Sequence, residues 1–327
     1  MNRRVCATAT CALLAACAWL GPSGSHAQPF PSKPIRIVVT YAPGGGADVL
    51  ARIVAEQLGP RIGQAVLVEN RPGAGGTIGA AMVAKAPPDG YTLLLADIAP
   101  NAIAPGLYSR LPYDALKDFE PITQAVRVPL IMVASPAAPF ANVTEMLAWS
   151  RVNPGKLTYA TSGNGSVGHL AGALLEHQAS LKVQHVPYKG GSALLVDVVG
   201  GRVDIGFVSL ASALGQIQAG KLQVVGVAGQ QRPATMPAIQ SIADAGIAGY
   251  EVSTWFGFAA PAGTPREIVD RLQREIVDAL RPPAVLDKLR TQGMELLGST
   301  PDAFRAYMAS EIARWAQVVK LAGIKPE

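Results

Sequence analysis

The stretch Ile35-Arg36-Ile37-Val38-Val39-Thr40-Tyr41-Ala42-Pro43-Gly44-Gly45-Gly46-Ala47-Asp48-Val49-Leu50 decides the fold. Its first residues alternate β-branched side chains and predict a strand, and Pro43 to Gly46 predict a turn. A strand, a glycine-rich turn and a helix in this order form a βα unit, which is typical of a largely parallel sheet. The helix is indicated by apolar residues at helical spacing, namely Val49, Leu50, Ile53, Val54 and Leu58.

The same succession recurs further along the chain. A strand at 66–68 precedes a glycine-rich turn and a helix from Thr77, and a strand at 157–160 precedes a second glycine-containing loop and a helix from Ser166. An irregular, proline-containing connection separates the two runs of units, so we expect two lobes. Further strands are predicted at 91–96, 183–186, 203–208, 222–227 and 251–260.

The last third of the chain is predicted to be mainly helical. Thr264-Pro265-Arg266-Glu267 predicts a capping box with proline at the first helical position, and Thr300-Pro301 predicts a second helix start. Aromatic and apolar residues at helical spacing after Thr300 are expected to pack in the core.

The first 27 residues have the pattern of an export signal. A basic start at Arg3 and Arg4 is followed by an apolar run and by a small-x-small ending, Ser25-His26-Ala27. We expect a signal peptide at 1–27, cleavage before Gln28 and a periplasmic location. An alternative stays open, because Leu14-Ala15-Ala16-Cys17 resembles a lipobox and would leave Cys17 as a lipid anchor.

Composition excludes several functional classes. All three cysteines, Cys6, Cys11 and Cys17, lie in the export segment, so the mature chain has neither a disulfide nor a thiolate metal site. The net charge of +5 falls to +3 without Arg3 and Arg4, and no Lys/Arg-rich block indicates nucleic acid. No cofactor and no metal are expected. The 49% hydrophobic and 16% charged content suits an ordinary globular α/β protein.

The glycine-rich loops favour an anionic ligand. Each lies where a strand hands over to a helix, and the exposed N–H groups and positive dipole of a helix N-terminus attract negative charge. One loop is weak support, since many βα turns need glycine only for their geometry. Loops from both lobes acting together are stronger support.

Motifs for catalysis are incomplete. The glycines at 44–46 lack the third glycine of a dinucleotide fingerprint, and no phosphate-binding P-loop sequence occurs. Asn164 stands where a nucleophile elbow would have its first glycine. The alternative to a binding protein is a periplasmic hydrolase using Ser166 and His169, which are neighbours on one helix but have no identifiable orienting acid.

Six segments resemble the receptors of tripartite tricarboxylate transporters, also called Bug proteins, and follow one another over the mature chain. They are Pro31 to Val39, Ala42 to Asp48, Glu69-Asn70-Arg71-Pro72-Gly73-Ala74-Gly75-Gly76, Pro88-Asp89-Gly90-Tyr91-Thr92-Leu93, His185-Val186-Pro187-Tyr188-Lys189-Gly190-Gly191, and Trp255-Phe256-Gly257 through Ala260-Pro261-Ala262-Gly263-Thr264-Pro265.

The resemblance implies a two-lobed periplasmic-binding-protein-like (type II) α/β fold, each lobe a mostly parallel sheet flanked by helices. Lobe 1 would comprise 28–129 and 253–327, and lobe 2 would comprise 130–252, with the ligand cleft at the hinge. It also implies a ligand held by loops of both lobes, without a dedicated arginine. The implied residues are Tyr41, Pro43, Gly44, Gly45, Ala47 and Asp48; Asp97, Ala99 and Asn101; Thr161, Ser162, Asn164, Ser166 and His169; Tyr188, Lys189 and Gly190; and Val208.

Two departures from the family pattern bear on specificity. Asp97-Ile98-Ala99 stands where small hydroxyl residues are common, and Val208 stands where the family commonly has an aspartate facing the cleft. If Val208 lines the pocket, it disfavours an amino group on the ligand and favours an apolar or aromatic portion. The alternative is that Val208 only fills a strand.

The sequence therefore predicts a receptor that binds a small carboxylate between two lobes and is not an enzyme. The expected ligand is an organic acid, with an aromatic acid and a dicarboxylate as the open alternatives. The expected partners are membrane transporter subunits or a sensor, and a monomer is the expected state. Which carboxylate it binds is not specified by these residues.

Overall fold

The stretch from Ile35 to Leu50 folds as the predicted βα unit in the computed structural model, which describes residues 30–188, 191–229, 232–233 and 235–324. Strand β1 (Ile35–Val39) is almost fully buried, and helix α1 (Gly46–Ile62) turns its apolar stripe onto it. The export segment 1–27 lies outside the described residues, as do Lys189 and Gly190 of the predicted site.

The remaining elements alternate as the sequence pattern predicts for most of the chain. The other strands are β2 (Val66–Asn70), β3 (Thr92–Asp97), β4 (Phe119–Ala134), β5 (Thr158–Thr161), β6 (Gln184–Pro187), β7 (Ile205–Ser209), β8 (Gln223–Val227), β9 (Ser253–Pro261) and β10 (Glu295–Leu296). The other helices are α2 (Thr77–Ala84), α3 (Ala104–Leu107), α4 (Val143–Val152), α5 (Val167–Ala179), α6 (Gly191–Val199), α7 (Leu210–Gln218), α8 (Arg266–Leu280), α9 (Pro283–Thr291) and α10 (Pro301–Ala322).

The strands form one mixed sheet in the order β2-β1-β3-β9-β4-β7-β5-β6, with β8 and β10 also pairing with β4. Pairing is parallel among β1, β2 and β3 at one end and among β5, β6 and β7 at the other. Strands β4 and β9 run antiparallel to their neighbours between these two ends. The α/β fold class predicted from the sequence is confirmed.

The proline-containing connection between the two runs of βα units, which was predicted to be irregular, contains β4, the longest strand of the described residues. The first part of β4 pairs with β9 down to Pro129 opposite Ser253, and from Leu130 it pairs with β7 and β8. Prolines obscured this strand in the sequence. Pro121 lies beside an irregularity of the β4–β9 register, and Pro129 lies where β4 changes partner; strands tolerate proline at such positions.

The predicted capping box at Thr264 is wrong. The Thr264 hydroxyl donates to the carbonyl of Pro261 at 2.7 Å, so it does not cap α8, which begins at Arg266 without a side-chain cap. The second predicted start is confirmed, because the Thr300 hydroxyl accepts a hydrogen bond from the N–H of Ala303. Within the described residues, none of the helices combines the length and apolarity needed to cross a membrane.

Candidate functional site

A cavity of about 1060 Å³ lies at the carboxyl ends of the strands, between the two parallel parts of the sheet; we call it the central cavity. Its walls are the loops that follow β1 and β3 on one side and β5, β6 and β7 on the other. Ligands of open α/β sheets bind at this edge, and the volume is at the upper end of small-molecule sites.

Four helices begin at the central cavity. Gly46 and Ala47 of α1, Val167 and Gly168 of α5, Gly191 of α6, and Ala211 and Ser212 of α7 all line it. The N–H groups of a first helical turn have no acceptor within the helix. The residues before α1 and α7, Gly45 and Ser209, make no side-chain cap. Backbone donors and helix dipoles therefore point to one volume.

Asp48 holds the loop before α1 from behind rather than lining the cavity. Its carboxylate accepts from the N–H of Gly44 at 3.0 Å, from Arg52 at 2.9 Å and from Asn70 at 2.9 Å. Burial acts to raise the pKa of Asp48, but these hydrogen bonds more than compensate and leave it lowered. The carboxylate thus stays ionised and fixes Gly44, which does line the cavity.

Asp97, at the end of β3, is a buried carboxyl group in the cavity wall. It is 3% exposed, and its Oδ1 accepts from the N–H of Ala99 at 2.9 Å. Burial raises the pKa of Asp97 to about 7, against the lowering effect of hydrogen bonds from Tyr41 and Ala99. Asn101 is fully buried behind it and accepts from the N–H of Asp97 at 3.2 Å, so Asn101 supports the wall without lining it.

The loop 161–166, which connects β5 to α5, contributes Ser162, Asn164 and Ser166 to the cavity. Thr161 is fully buried beneath it, and its hydroxyl lies 2.6 Å from Nε2 of His185. Nδ1 of His169 accepts from the N–H of Gly165 at 3.1 Å. Thr161 and His169 were predicted to contact ligand, but both lie on the far side of the loop.

Most of the predicted site residues come together around the central cavity. Those that line it are Tyr41, Pro43, Gly44, Gly45, Ala47, Asp97, Ala99, Ser162, Asn164, Ser166, Tyr188 and Val208. Those that do not are Asp48, Asn101, Thr161 and His169, each of which bonds to a lining loop from behind. Val208 lies in β7 and faces the cavity while being 5% exposed.

Sequence reasoning missed the contribution that follows β7. Ser209 and Ser212 line the cavity, and the Ser212 hydroxyl donates to the carbonyl of Ser209 at 2.8 Å. Ser209 is the last residue of β7 and directly precedes α7, and serine is common at the position before a helix, so this signal could have located α7. Phe256 and Thr254 of β9 and Leu107 of α3 also line the cavity, and no local motif indicated them.

The hydrolase alternative has no geometric support. The Ser166 hydroxyl accepts from the backbone N–H of His169 at 3.3 Å, as a helix cap does. Nδ1 of the His169 ring accepts a hydrogen bond from the N–H of Gly165, and His169 is not one of the residues that line the cavity. Ser166 and His169 therefore do not form a nucleophile and base pair.

The described lining of the central cavity contains no Lys, Arg or His, and Asp97 is its one acidic residue. Across the described part of the chain, no three His, Cys, Asp or Glu side chains are grouped so as to hold a metal ion. The donors that the described lining offers to an anion are backbone N–H groups, hydroxyl groups and the side-chain amide of Asn164.

Comparison with known proteins gives the family. The model of the tripartite tricarboxylate transporter family receptor matches residues 50–324. The chain belongs to this receptor family. The Bordetella pertussis protein BugT is 36% identical over 300 residues, which cover 91% of this chain and 92% of BugT. Members are periplasmic solute-binding proteins and not enzymes, so the chain is a solute-binding receptor and the hydrolase alternative is wrong.

Two solved structures share the fold over nearly the whole receptor. Rpa4515 of R. palustris, solved with adipate, is 34% identical with a TM-score of 0.83, and the match covers 91% of this chain and 100% of that one. MatC of Rhodopseudomonas palustris, solved with bound malate, is 30% identical with a TM-score of 0.78, over 89% of this chain and 100% of MatC.

Proposed function

We propose that this receptor binds a small carboxylate with an apolar portion in the central cavity and encloses it between two lobes. The lobes are those predicted from the sequence, 28–129 with 253–327 and 130–252. Their boundaries coincide with the point where β4 exchanges β9 for β7. The bound form is then presented to membrane transporter subunits or to a sensor.

The observation that carries the proposal is the convergence of four helix N-termini on one cavity without a basic side chain among its described residues. Each N-terminus stabilises a nearby negative charge by roughly 0.3–1 kcal/mol, and by about 2 kcal/mol when partly buried. Four such contributions sum to roughly 1–4 kcal/mol, and to about 8 kcal/mol, the value of micromolar affinity, only if each is partly buried. Hydrogen bonds from N–H and hydroxyl groups to the charged oxygens, about 1.5–3 kcal/mol each, supply the remainder. The directions of these N–H groups also determine where a carboxylate oxygen can accept their hydrogen bonds.

The rest of the lining supports a partly apolar ligand. Leu107, Val208 and Phe256 face the same volume as the backbone donors. Val208 in particular offers no partner to an amino group, so a desolvated ammonium there would cost free energy. The adipate and malate named for two related receptors fit the carboxylate part of the proposal. Adipate, with its longer methylene chain, fits the apolar wall better.

Export is part of the same proposal. The segment 1–27 is proposed to direct the chain to the periplasm, with release at Gln28 or anchoring at Cys17 as the two outcomes. The intact mass of the exported protein separates them, because a chain beginning at Gln28 carries no lipid. The receptor is proposed to act as a monomer, which sedimentation at micromolar concentration would test.

A ligand screen tests the carboxylate. Adipate, malate, tricarboxylates, aromatic acids and amino acids should be compared by the shift they cause in the melting temperature. At a concentration of 100 Kd a ligand adds about 2.7 kcal/mol to the free energy of unfolding, which gives a clear shift. We expect a shift with a carboxylate and none with its amide. Absence of any shift with all anions at millimolar concentration would contradict the proposal.

A pair of variants tests the backbone mechanism directly. Gly46 is the first residue of α1, and Gly45 before it is extended at φ −80 and ψ 170, which suits the residue preceding a proline. Gly46→Pro should remove one N–H donor without breaking the helix, whereas Gly46→Ala keeps the donor and adds a Cβ at 3.4 Å from Phe256. We expect affinity to fall about 10-fold to 100-fold for proline only. Equal affinity of the two variants would argue against recognition by this N–H.

A further inference from the structure

The three histidines that follow the export segment gather behind the central cavity. His169 of α5 and His185 of β6 stack with ring centroids 3.9 Å apart and planes 8° from parallel. They line a separate pocket of about 320 Å³ together with Tyr159, Ala173, Glu176, His177, Val183 and Leu321. We call His169 and His185 the histidine pair; neither is among the residues that line the central cavity.

Each ring of the histidine pair bonds to the loop 161–166. Nδ1 of His169 accepts from the N–H of Gly165 at 3.1 Å, and Gly165 lines the central cavity. Nε2 of His185 lies 2.6 Å from the hydroxyl of Thr161, which in turn accepts from the N–H of Gly163 at 3.3 Å. The pair thus holds both ends of the turn from the side opposite the cavity.

The hydrogen bond from Gly165 fixes the protonation state of His169. A backbone N–H only donates, so Nδ1 must carry a lone pair and the ring must be neutral. Burial lowers the pKa of His169, and burial together with the neighbouring His169 lowers the pKa of His185 to about 4. Both rings are therefore neutral at neutral pH, and stacking disfavours two charges at once.

The pocket around the histidine pair contains few groups that would favour a charged ring. Tyr159 of β5 stacks on His185 at 4.9 Å, while Val183 and Leu321 are apolar. On α5, Glu176 and the exposed His177 complete the titratable groups that line the pocket. Glu176 is the one carboxylate there.

We propose that the neutral histidine pair positions the loop 161–166 for ligand binding, and that protonation of His169 releases Gly165 and weakens binding in the central cavity. The histidines act through the loop and do not touch ligand, so they are positioning residues. This proposal rests on the proposed function, because it takes the loop 161–166 as part of the carboxylate site.

A ligand-independent experiment tests the positioning. Nuclear magnetic resonance of the ¹⁵N-labelled protein should follow the His169 ring and the Gly165 amide as the pH falls from about 7.5 to about 4.5. We expect the Gly165 amide signal to move with the same midpoint as the ring, below the ordinary histidine value. The amide of Gly63, which follows the C-terminal end of α1 and donates to the carbonyl of Gly59, should not move with it. A constant Gly165 signal while His169 titrates would overturn the proposal.

Three variants extend the test to binding, with adipate and malate as probes. His169→Phe keeps a stacking ring but lacks the acceptor, and it should bind about threefold to tenfold more weakly at neutral pH. His169→Asn retains an acceptor oxygen and should bind as the wild type does, without the loss of affinity at low pH. His177→Phe, on the same helix, is the control and should change neither quantity.

The outcomes separate the two proposals. If His169→Phe binds as tightly as the wild type with an unchanged pH profile, the positioning role is overturned. If the wild type binds neither probe, the choice of ligand in the proposed function has failed for these two acids, while the response of the Gly165 amide still decides the positioning role.

Discussion

The phenol of Tyr41 donates a hydrogen bond to the carboxyl group of Asp97 inside the cavity wall. The described residues that line the cavity include no basic residue. Burial and then the neighbouring Asp97 charge raise the pKa of Tyr41, so the phenol remains a neutral donor. Burial also raises the pKa of Asp97 to about 7. The charge of the cavity wall therefore changes near neutral pH.

Replacement of Asp97 should change the pH dependence of stability. The pKa of Asp97 is about 7 in the folded protein and about 3.9 when unfolded, so the folded state binds the proton more tightly. Stability of the wild type should fall as the pH rises from about 4 to about 7. Asp97→Asn removes this loss and should raise the free energy of unfolding by a few kcal/mol at about pH 8, with little change near pH 4. Urea unfolding at several pH values measures this.

Asp114 provides a control of opposite sign. Hydrogen bonds from the N–H of Leu116 and Lys117 lower its pKa, so its ionised form stabilises the fold above its unfolded pKa. Asp114→Asn should therefore destabilise the protein near neutral pH, where Asp97→Asn stabilises it. Asp97→Asn with no gain in stability at about pH 8 would contradict the buried, raised-pKa carboxyl group.

Carboxylate binding should depend on the same proton. An ionised Asp97 repels an anion in the central cavity, and a protonated one does not. Affinity for adipate should therefore rise as the pH falls from about 8 to about 6, and the histidine pair should weaken binding only at still lower pH. Calorimetry in buffers of different ionisation enthalpy should show proton uptake on binding, and Asp97→Asn should abolish it. Binding without proton uptake at pH 7 would show that the ligand leaves Asp97 ionised.

The repeated βα units explain how much of the fold could be predicted. Local signals such as the alternation at 35–39 and the glycines at 44–46 determine a strand and a turn independently of distant residues. Strand β4 was not predicted, because its two prolines made the segment look like an irregular connection. They lie at an irregularity of the β4–β9 register and at the point where β4 changes its pairing strand. Those positions are defined by β7 and β9, which are distant in sequence, so no local pattern reveals them.

The candidate site divides in the same way. Loops at the ends of β1 and β5 were located from glycine and helix-start signals, whereas the loop after β3 was implied only by the family resemblance; all three surround the cavity. The sequence did not reveal whether each side chain of these loops points into the cavity or away from it. Asp48 and His169 both reach back four residues to an N–H in the preceding loop, and helical geometry turns them away from the cavity.

Asp48→Ala should loosen the loop before α1. The change removes the acceptor of Gly44, Arg52 and Asn70 from a position whose side chain is 4% exposed. A loss of about 1–3 kcal/mol in the free energy of unfolding is expected, because three donors lose their partner. Ligand affinity should fall as well, since Gly44 lines the cavity. Asp48→Asn keeps one acceptor oxygen and should lose less of both; equal losses would indicate that shape alone matters.

Val208 should determine whether an amino group is accepted. Val208→Asp places a carboxylate in the cavity wall, where it can pair with an ammonium and repels a simple carboxylate. We expect adipate affinity to fall at least about tenfold and binding of an amino acid such as aspartate to become measurable. Val208→Thr, of similar size and uncharged, should change neither by as much. If Val208→Asp leaves both affinities unchanged, Val208 only fills the strand.

Gly165→Ala should weaken ligand binding more than it weakens the fold. Gly165 has φ +72, and a Cβ there would lie 2.6 Å from Cδ2 of Leu107, which lines the cavity from α3. The left-handed backbone costs about 1–2 kcal/mol with alanine, and the loop must also move away from Leu107.

Gly155→Ala is the matched control, since Gly155 has φ +76 and nothing within 4 Å of its added Cβ. Gly165→Ala should lose at least as much free energy of unfolding in urea as Gly155→Ala does, whereas adipate affinity should fall about tenfold for Gly165→Ala only. Because the backbone cost is shared, a drop in affinity confined to Gly165→Ala would report the position of the loop 161–166 against Leu107. Equal affinities of the two variants would mean that this loop does not face the ligand.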